Sequence, residues 1–280
     1  SIMRKLREYL NRPLSFVMFL LIIISTVITA LTVVFIIGYI FIKGVPNLSL
    51  DLFSLKYSSS NQSMLPSIIN TVYLTALTLL LAVPIGIFSA IYLAEYSRKN
   101  SFFVKIINIA NETLSGIPSI VYGLFGFLAF VISKKWGYSL LAGVITLAIM
   151  VLPLIIRTSQ EAMLGVDDTF REASYGLGAG KLRTVFKIVL PSAMPGILSG
   201  IILAIGRVVG ETAALIYTAG TVPEAATKLT SSSRTISVHL YCLLNEGLYT
   251  EQAYATAVVL IVFVVIINAL SNALAKKIMK

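Results

Sequence analysis

The most informative segment of this sequence lies between two long apolar stretches and reads Arg171-Glu-Ala-Ser-Tyr-Gly-Leu-Gly-Ala-Gly-Lys-Leu-Arg-Thr-Val-Phe-Lys-Ile-Val-Leu-Pro191. Its pattern predicts two short helices around a glycine-rich turn, because glycine readily adopts the positive φ that a sharp reversal needs. The second helix, over 182–190, is expected to stop at Pro191. This hairpin is too polar for the lipid interior and too apolar for a plain linker, so it is predicted to contact a protein partner.

The glycines beside Lys181 do not form a nucleotide-binding loop. A phosphate-binding loop would need glycine in place of Tyr175 and serine or threonine in place of Leu182. The dinucleotide pattern fails as well, because Lys181 stands where its third glycine would be and no strand precedes it. The sequence therefore predicts that this chain binds no ATP and that any energy for its activity comes from a separate protein.

The rest of the chain is strongly apolar. Of its 280 residues 57% are hydrophobic and 12% are charged, whereas soluble domains carry about 25% charged residues. This composition excludes an ordinary cytosolic enzyme and predicts one polytopic membrane unit. The net charge of +10 is better explained by loop topology and anionic lipid than by nucleic acid. A single cysteine, Cys242, and a single histidine, His239, exclude a disulfide framework and a multi-ligand zinc site.

Six charge-poor stretches are long enough to cross a bilayer, whose apolar core of about 30 Å needs roughly 20 residues per helix. The sequence therefore predicts an all-α membrane protein with a single transmembrane domain over 15–275. The first span is too long for a cleaved signal peptide and is expected to remain as an anchor. The predicted helices cover residues 15–42, 68–94, 104–132, 139–160, 194–218 and 252–275.

The basic residues predict how these spans are oriented. With both termini in the cytoplasm, 15 of the 22 Lys and Arg residues lie on the cytoplasmic side and six on the other, as the positive-inside rule favours. The predicted cytoplasmic parts are the N-terminus 1–14, the loop 161–193 and the C-terminus 276–280. The loop 219–251 is predicted to be external, with a short interfacial helix over 238–244.

The remaining cation, Arg207, falls inside the fifth predicted span. A charge at membrane depth is costly unless it is paired or hydrated, so Arg207 is a candidate substrate-binding residue. Its flat, permanently charged guanidinium suits a tetrahedral oxyanion. On a continuous helix Glu211 lies on the same face at i+4, so an internal ion pair is an equally good interpretation. As a binding residue, Glu211 would accept a hydrogen bond from hydrogenphosphate and repel sulfate.

The third predicted span contains a second candidate feature. Pro118 interrupts its hydrogen-bond ladder, and the helix that follows offers unpaired N–H groups at its positive end. Ser115 and Ser119 add hydroxyl groups. These hydroxyls either face a substrate or bond back to the preceding turn of a simple kink, and the sequence leaves both interpretations open.

The hairpin resembles the EAA loop of ABC-importer permeases, whose pattern is Glu-Ala-Ala, three residues, Gly, nine residues, Ile, one residue and Leu-Pro. The chain matches this pattern without a gap, and Ser174 departs from it at the third position. The segments 115–123 and 206–213 are similar to the permeases of phosphate-specific transporters, and 212–219 is similar to their A-type subunit. The residues that match the loop pattern are Glu172, Ala173, Gly178, Ile188, Leu190 and Pro191.

This resemblance implies the type I (MetI-like) permease fold with six transmembrane helices and a loop that docks on a separate ATPase. It implies that the chain is not itself an enzyme and binds no cofactor, ATP and magnesium being held by the ATPase. The implied partners are a related C-type permease, two copies of the ATPase, an extracytoplasmic phosphate-binding protein and the lipid of a prokaryotic cell membrane. The docking residues it implies are Arg171, Glu172, Ala173, Ser174, Tyr175, Gly176, Gly178, Ile188, Leu190 and Pro191.

The function that the resemblance implies is ATP-driven import of inorganic phosphate by alternating access. One alternative is a permease of the same class for another oxyanion, such as sulfate or molybdate, and another is a channel or carrier without an ATPase. An integral-membrane enzyme is disfavoured because the spans lack clustered His, Asp or Cys. The candidate substrate-pathway residues are Arg207, Glu211, Thr212, Ser115 and Ser119.

Overall fold

The protein is described here by a computed structural model of residues 13–97 and 101–278, in which the regular elements are helices. Most of the predicted N-terminal segment 1–14 lies outside the described residues, as do Arg98, Lys99 and positions 279–280. In chain order the helices are α1 Pro13–Gly44, α2 Leu65–Ile91, α3 Phe102–Gly116, α4 Ser119–Gly126, α5 Leu140–Leu164, α6 Asp168–Gly176, α7 Lys181–Thr184, α8 Leu190–Val209, α9 Ala213–Thr218, α10 Ile236–Glu246 and α11 Thr250–Ile278.

Three wide, π-helical turns continue these helices. Tyr92–Tyr96 prolongs α2, Phe127–Ser133 prolongs α4, and Val185–Val189 joins α7 to α8. Within the described ranges, five helical stretches are long and apolar enough to cross a membrane, and α3 with α4 forms a sixth, sharply bent candidate. The chain is thus a multi-pass membrane protein, because such lengths and compositions fit a bilayer core.

The core is centred on α5. In its most apolar window 61% of the residues are buried, against none in the corresponding window of α1. Helix α5 packs between α2 and α8, whereas α1 packs on α11 at the edge of the bundle. A helix enclosed on most sides can be apolar all round, as α5 largely is.

The bundle has two distinct ends. The elbow, residues 167–189, lies where α2 and α5 end and where the long helix leading into α8 begins; we call this the elbow end. At the other end, which we call the loop end, residues 219–235 fold over the starts of α2 and α5. There Leu140 donates its backbone N–H to the carbonyl of Ser231 at 2.9 Å. Helix α10 follows this segment and includes residues 238–244, for which the sequence predicted a short helix.

The third predicted span, 104–132, is not a single helix. Helices α3 and α4 are bent by 101° at the break between them. Ile117 is extended there, with φ −71° and ψ 130°, because a residue before proline is pushed out of the helical region. Pro118 therefore does more than kink this span.

The fifth predicted span, 194–218, is interrupted as well. Helix α8 ends at Val209, and the short helix α9 starts at Ala213. Glycine at position 210 favours a helix end, and Thr212 has non-helical angles of φ −122° and ψ −54°. Arg207 consequently lies in the last turn of a helix rather than in the middle of a continuous span.

The predicted stop of the elbow's second helix at Pro191 is wrong. A continuous helix runs from Lys181 to Val209 and passes through Pro191. In a regular helix the proline ring clashes with the carbonyl four residues earlier. The wide turn Val185–Val189 directly before it changes the spacing of those carbonyls, so the helix accommodates the proline without ending.

Candidate functional site

Arg207 lines an open groove of about 520 Å³ between three helices. Leu154 of α5 and Asn268 of α11 complete its walls. The guanidinium is half-buried and forms neither an ion pair nor a side-chain hydrogen bond with any other residue in 13–97 or 101–278. A cation in this position is available to an anion that enters the groove.

Glu211 does not pair with Arg207. It is 8% exposed, and its Oε1 accepts a hydrogen bond from the backbone N–H of Ala214 at 3.1 Å. The carboxylate thus caps the start of α9, where unpaired N–H groups favour a negative charge. The expectation that Arg207 and Glu211 share one helix face at i+4 is wrong, because the helix ends at Val209 between them.

Thr212 continues the same break. It is half-buried, and its Oγ1 lies 3.5 Å from the carbonyl of Gly210, at the limit of a hydrogen bond. The weak contact leaves this hydroxyl free to turn toward another partner.

The two serines of the third span have different environments. Ser115 donates its hydroxyl back to the carbonyl of Asn111 at 2.7 Å, which is the bond expected at a plain helix kink. Ser119 is half-buried at the first position of α4, and its hydroxyl has no hydrogen-bond partner among the described residues. The N–H groups of Ser119 and Ile120 lack partners within α4, whereas that of Val121 donates to the carbonyl of Pro118 at 3.0 Å.

Tyr122 bridges the break in the third span, and the sequence offered no signal for this role. Its hydroxyl donates to the carbonyl of Leu114 at 2.8 Å, so it ties α4 to the end of α3. Tyr122 also shares a buried apolar cluster with Val208 and Ala214, and it lies within electrostatic range of Arg207.

The two interrupted spans therefore meet inside the bundle. At Gly123 an added methyl group would lie 2.8 Å from the Cα of Ala214 and 3.1 Å from the carbonyl oxygen of Ala213. Helices α4 and α9 can approach so closely because glycine has no side chain. The Pro118 break and the Gly210–Thr212 break are thus brought together by one contact between α4 and α9. We call this contact the joint; the linear sequence did not reveal it.

The elbow forms a second, separate feature. Asp167 starts α6 by accepting hydrogen bonds from the backbone N–H of Thr169 at 2.9 Å and from its hydroxyl at 2.6 Å. These bonds lower the pKa of the Asp167 carboxyl, the hydroxyl contributing most. Gly178 has the positive φ of 81° that the reversal needs.

The departure from the loop pattern at Ser174 has a structural counterpart. Ser174 is buried, and its Oγ lies 2.8 Å from Oγ1 of Thr184, which is also buried. This pair joins the two arms of the elbow across the turn, the first arm being α6 and the second being the helix that starts at Lys181. An alanine at 174 would make no such bond, so the contact with Thr184 explains why a serine suits this position. Nothing in the sequence links the two positions.

Arg171 anchors the first arm of the elbow. Its guanidinium donates to Oε1 of Glu95 at 2.7 and 3.2 Å, to Asp168 Oδ1 at 3.0 Å, and to the backbone carbonyls of Met163 and Val166, each at 2.7 Å. The hydrogen bond with Glu95 raises the pKa of Arg171 further. Its side chain is 13% exposed and that of Glu95 is 6% exposed, so this is a largely buried ion pair with its donors well used.

The outer face of the elbow carries apolar side chains in the open. Phe170 is 57% exposed and Leu177 is 90% exposed, and a groove of about 380 Å³ runs between the arms. Arg171 and Ser174 are thus directed inward, whereas the other predicted docking residues near the turn face outward or line this groove. Those exposed are Glu172, Ala173, Tyr175, Gly176, Gly178 and Pro191; Ile188 and Leu190 are half-buried.

At the loop end, His239 and Arg234 form a buried polar cluster with Tyr57. His239 is fully buried, and burial, with the nearby Arg234 charge, lowers its pKa to about 3. The Arg234 guanidinium lies 4.8 Å from the centre of the Tyr57 ring. Burial also raises the pKa of the Cys242 thiol. In 13–97 and 101–278 no three His, Cys, Asp or Glu side chains are grouped to hold a metal ion.

Comparison with known proteins gives consistent matches. The family described as "Binding-protein-dependent transport system inner membrane component" matches residues 82–280. The chain is 32% identical over 249 residues to the "Probable ABC transporter permease protein YqgI" of Bacillus subtilis (strain 168), covering 82% of this chain and 84% of that protein. It is 34% identical over 218 residues to the "Phosphate transport system permease protein PstA" of Haemophilus influenzae, covering 77% of each.

A solved structure has the same fold. It is a chain of a bacterial ABC transporter involved in the import of the acidic polysaccharide alginate, with a TM-score of 0.68 and 17% identity over 99% of this chain and 100% of that one. At this identity the likeness concerns the fold alone, and it supports the predicted permease architecture.

Proposed function

The chain belongs to the family of inner membrane components of binding-protein-dependent transport systems, and we propose that it is the A-type permease subunit of an ATP-driven importer of inorganic phosphate. As a permease of an ABC importer it is a multi-pass membrane subunit, and ATP hydrolysis belongs to a separate ATPase subunit. The finer proposal concerns the substrate, the residues that meet it and the partners.

The unpaired guanidinium of Arg207 carries the proposal for an anionic substrate. Among the described residues no carboxylate within 4.0 Å neutralises it, and it lies in the last turn of α8, beside the break between α8 and α9. An arginine that is at membrane depth and unpaired gains most from binding an anion. Relatives named as phosphate permeases, at about a third identity over most of the chain, favour phosphate among the oxyanions.

Glu211 and Ser119 supply the groups that complement hydrogenphosphate. Glu211 uses Oε1 for the cap of α9, so Oε2 is available to accept a hydrogen bond from the P–OH group that hydrogenphosphate carries and sulfate lacks. Ser119 and the first N–H groups of α4 offer donors to the remaining oxygens. Thr212 lies beside Glu211 and adds a hydroxyl, while Ser115, bonded to its own helix, has a structural role.

The elbow is proposed to receive the ATPase. Its exposed apolar residues Phe170 and Leu177 flank a groove that a partner's side chain can fill, and an exposed apolar patch beside polar residues is typical of a protein contact. We assign the partners as two ATPase copies, a related C-type permease that completes the pathway, and an extracytoplasmic phosphate-binding protein.

Transport would proceed by alternating access in a prokaryotic cell membrane. With both termini in the cytoplasm, the elbow faces the ATPase and the loop end faces the binding protein. Closure of the ATPase moves the elbow, the bundle reorients, and phosphate at Arg207 is exposed first to one side and then to the other.

The test is phosphate uptake by the reconstituted complex in vesicles, with sulfate and molybdate as competitors. We expect Arg207→Ala to abolish uptake and Arg207→Lys to reduce it about tenfold or more, because a lysine cannot provide the forked donor geometry. Assembly and basal ATP hydrolysis should persist in both variants. Lys134→Ala removes an exposed cation elsewhere and should leave uptake unchanged.

Three results would contradict parts of this proposal. Uptake of sulfate or molybdate in preference to phosphate would make the chain a permease for another oxyanion. Uptake without ATP or without an ATPase subunit would make it a channel or carrier. Loss of assembly in Arg207→Ala would make the arginine a structural residue.

A further inference from the structure

The elbow contacts the last turn of α2 and the end of α5, where Arg171 donates to the carbonyl of Met163. That turn, Tyr92–Tyr96, is π-helical and ends at Ser97, whose hydroxyl donates to the carbonyl of Leu93 at 2.6 Å. The two arms of the elbow contact the last two residues of this turn. The first arm contacts Glu95 and the second contacts Tyr96.

The contact of the first arm is an ion pair within a network. Arg171 donates twice to Oε1 of Glu95, at 2.7 and 3.2 Å, and both side chains are almost buried. Its bond to Asp168 at 3.0 Å differs, because Asp168 is 80% exposed and belongs to α6 itself. Only the Glu95 carboxylate therefore links the elbow by charge to α2.

The contact of the second arm is a cation over a ring. The Nζ of Lys181, the first residue of α7, lies 4.9 Å from the centre of the Tyr96 ring. Such a contact is attractive because the ring face carries partial negative charge. The two arms are joined to each other by Ser174 and Thr184, so the elbow contacts the last turn of α2 as one unit.

The opposite end of α2 is tied to the loop end just as closely. Asn70 Nδ2 donates to the carbonyls of Glu224 at 3.0 Å and Arg234 at 3.1 Å, and its Oδ1 accepts from the N–H of Ala226 at 2.8 Å. Thr71 Oγ1 accepts from the N–H of Ile236 at 3.0 Å. Asn70 and Thr71 are fully buried, and they hold both ends of the segment 224–236.

Between these two ends α2 is one continuous helix that contains Pro84. Its 27 residues correspond to about 40 Å at 1.5 Å per residue, enough to cross the apolar core of a bilayer. It packs along α5 over most of this length, and close-packed helices transmit displacement rather than absorb it.

We propose that α2 is a connecting rod that carries movement of the elbow to residues 224–236 at the loop end, and that Glu95 is the positioning residue at its driven end. Glu95 touches neither substrate nor nucleotide; it acts by making α2 follow Arg171. This inference rests on the proposed function for the identity of the driving ATPase and of the binding protein that meets the loop end. A rod explains why three amide contacts and one hydroxyl contact are concentrated at one end of α2 and a buried ion pair at the other.

The first test compares Glu95→Gln with Asp168→Asn in the purified complex, reconstituted with its ATPase and phosphate-loaded binding protein. Both variants remove one carboxylate charge from Arg171, and both keep an oxygen that can accept its hydrogen bond. We expect Glu95→Gln to keep assembly and basal ATP hydrolysis but to lower the stimulation of hydrolysis by binding protein about tenfold. Asp168→Asn should behave as the unmodified complex does.

The second test is at the far tip of the rod. Thr71→Val removes the acceptor for Ile236 without changing shape and should lower the same stimulation, whereas Thr71→Ser should restore it. Thr78→Val is the control, because the Thr78 hydroxyl is equally buried on α2 but has no hydrogen-bond partner among the described residues. The double variant Glu95→Gln, Thr71→Val should be no worse than its worse parent.

Hydrogen–deuterium exchange separates this inference from the proposed function. A non-hydrolysable ATP analogue should change exchange in 221–236 of the unmodified complex and leave it unchanged in Glu95→Gln, whatever the cargo is. If the unmodified complex imports no phosphate but this difference is present, the proposed function fails and the rod stands. Equal exchange responses, equal effects of Glu95→Gln and Asp168→Asn, or additive losses in the double variant would each overturn the rod.

Discussion

Single residues near the two helix breaks change their meaning once the backbone is known. From the sequence, Arg207 and Glu211 are one turn apart on a helix, and an ion pair is a natural expectation. The backbone leaves the helix at Gly210, and the two side chains form no ion pair. Arg207 faces a groove, and Glu211 caps α9.

The substitution Glu211→Gln tests the selective role of this carboxylate. Glutamine keeps an oxygen that can accept from Ala214, so the cap of α9 is retained, but the second oxygen becomes an NH₂ donor. We expect phosphate uptake to fall about tenfold and inhibition by sulfate to increase, since the repulsive element is lost. Competition uptake in vesicles measures both.

A matched control for that experiment is Glu246→Gln, an exposed carboxylate at the end of α10. It should change neither quantity. If Glu211→Gln also leaves uptake and sulfate inhibition unaltered, Glu211 is a helix cap and nothing more.

At the scale of elements, the joint between α4 and α9 determines the interior of the bundle. Two short helices, each beginning at a break, cross where Gly123 meets Ala213 and Ala214. Neither helix is long enough to be stable alone, so each depends on this contact and on the adjoining core of Tyr122 and Val208.

We expect Gly123→Ala to destabilise the protein by about 1 to 3 kcal/mol, because the added methyl group meets backbone atoms that cannot move aside locally. The control is Gly116→Ala, a helical glycine with no heavy atom within 4 Å of the added methyl group. It should be neutral or slightly stabilising, since alanine favours helices more than glycine. The apparent melting temperature of the purified complex compares the two; equal values would mean that the joint is loosely packed.

At the scale of the whole molecule, the loop end joins distant parts of the chain through buried polar groups. Residues 224–236 are bound to α2, and His239 of α10 contacts the ring of Tyr57 at 6.4 Å between centroids. His239 is neutral at physiological pH because burial lowers its pKa to about 3. This cluster ties the folding of the loop end to proton concentration.

The pH dependence follows from that depressed pKa. Above pH 6.5 the histidine is neutral in both the folded and the unfolded chain, so its contribution to stability is complete there. As pH falls from 6.5 toward 3 the unfolded chain binds the proton first, and stability is lost by about 1.4 kcal/mol per unit. At pH 5 the expected loss from His239 is about 2 kcal/mol.

His239→Phe keeps a ring against Tyr57 and removes this titration. Melting of the purified complex at pH 7.5 and pH 5 should therefore show a smaller difference for the variant than for the unmodified protein. An unchanged difference would assign the acid sensitivity to other groups.

Predictions from local sequence properties and predictions of where helices break had different outcomes, for a physical reason. Apolar length and the spacing around Glu172 and Gly178 are local properties, and they led to the membrane class and to the permease family that the comparisons support. Ile117 and Thr212 depart from the helix for local reasons too, yet the sequence alone indicated the first through Pro118 and not the second. Proline disfavours the helical conformation in the residue before it, whereas glycine in an apolar span is compatible with both continuation and termination.

The partners of Arg171 and Ser174 were beyond prediction because each depends on which segments lie side by side in the fold. Glu95 and Thr184 carry no pattern of their own, and they matter only where the elbow folds back on α2 and on itself. The linear chain thus sets how many apolar segments there are, their polarity and the shape of the hairpin, since these follow from neighbours in sequence. Packing determines which side chains pair at membrane depth and at the two ends of α2, since burial and contact between remote residues exist only in the folded bundle.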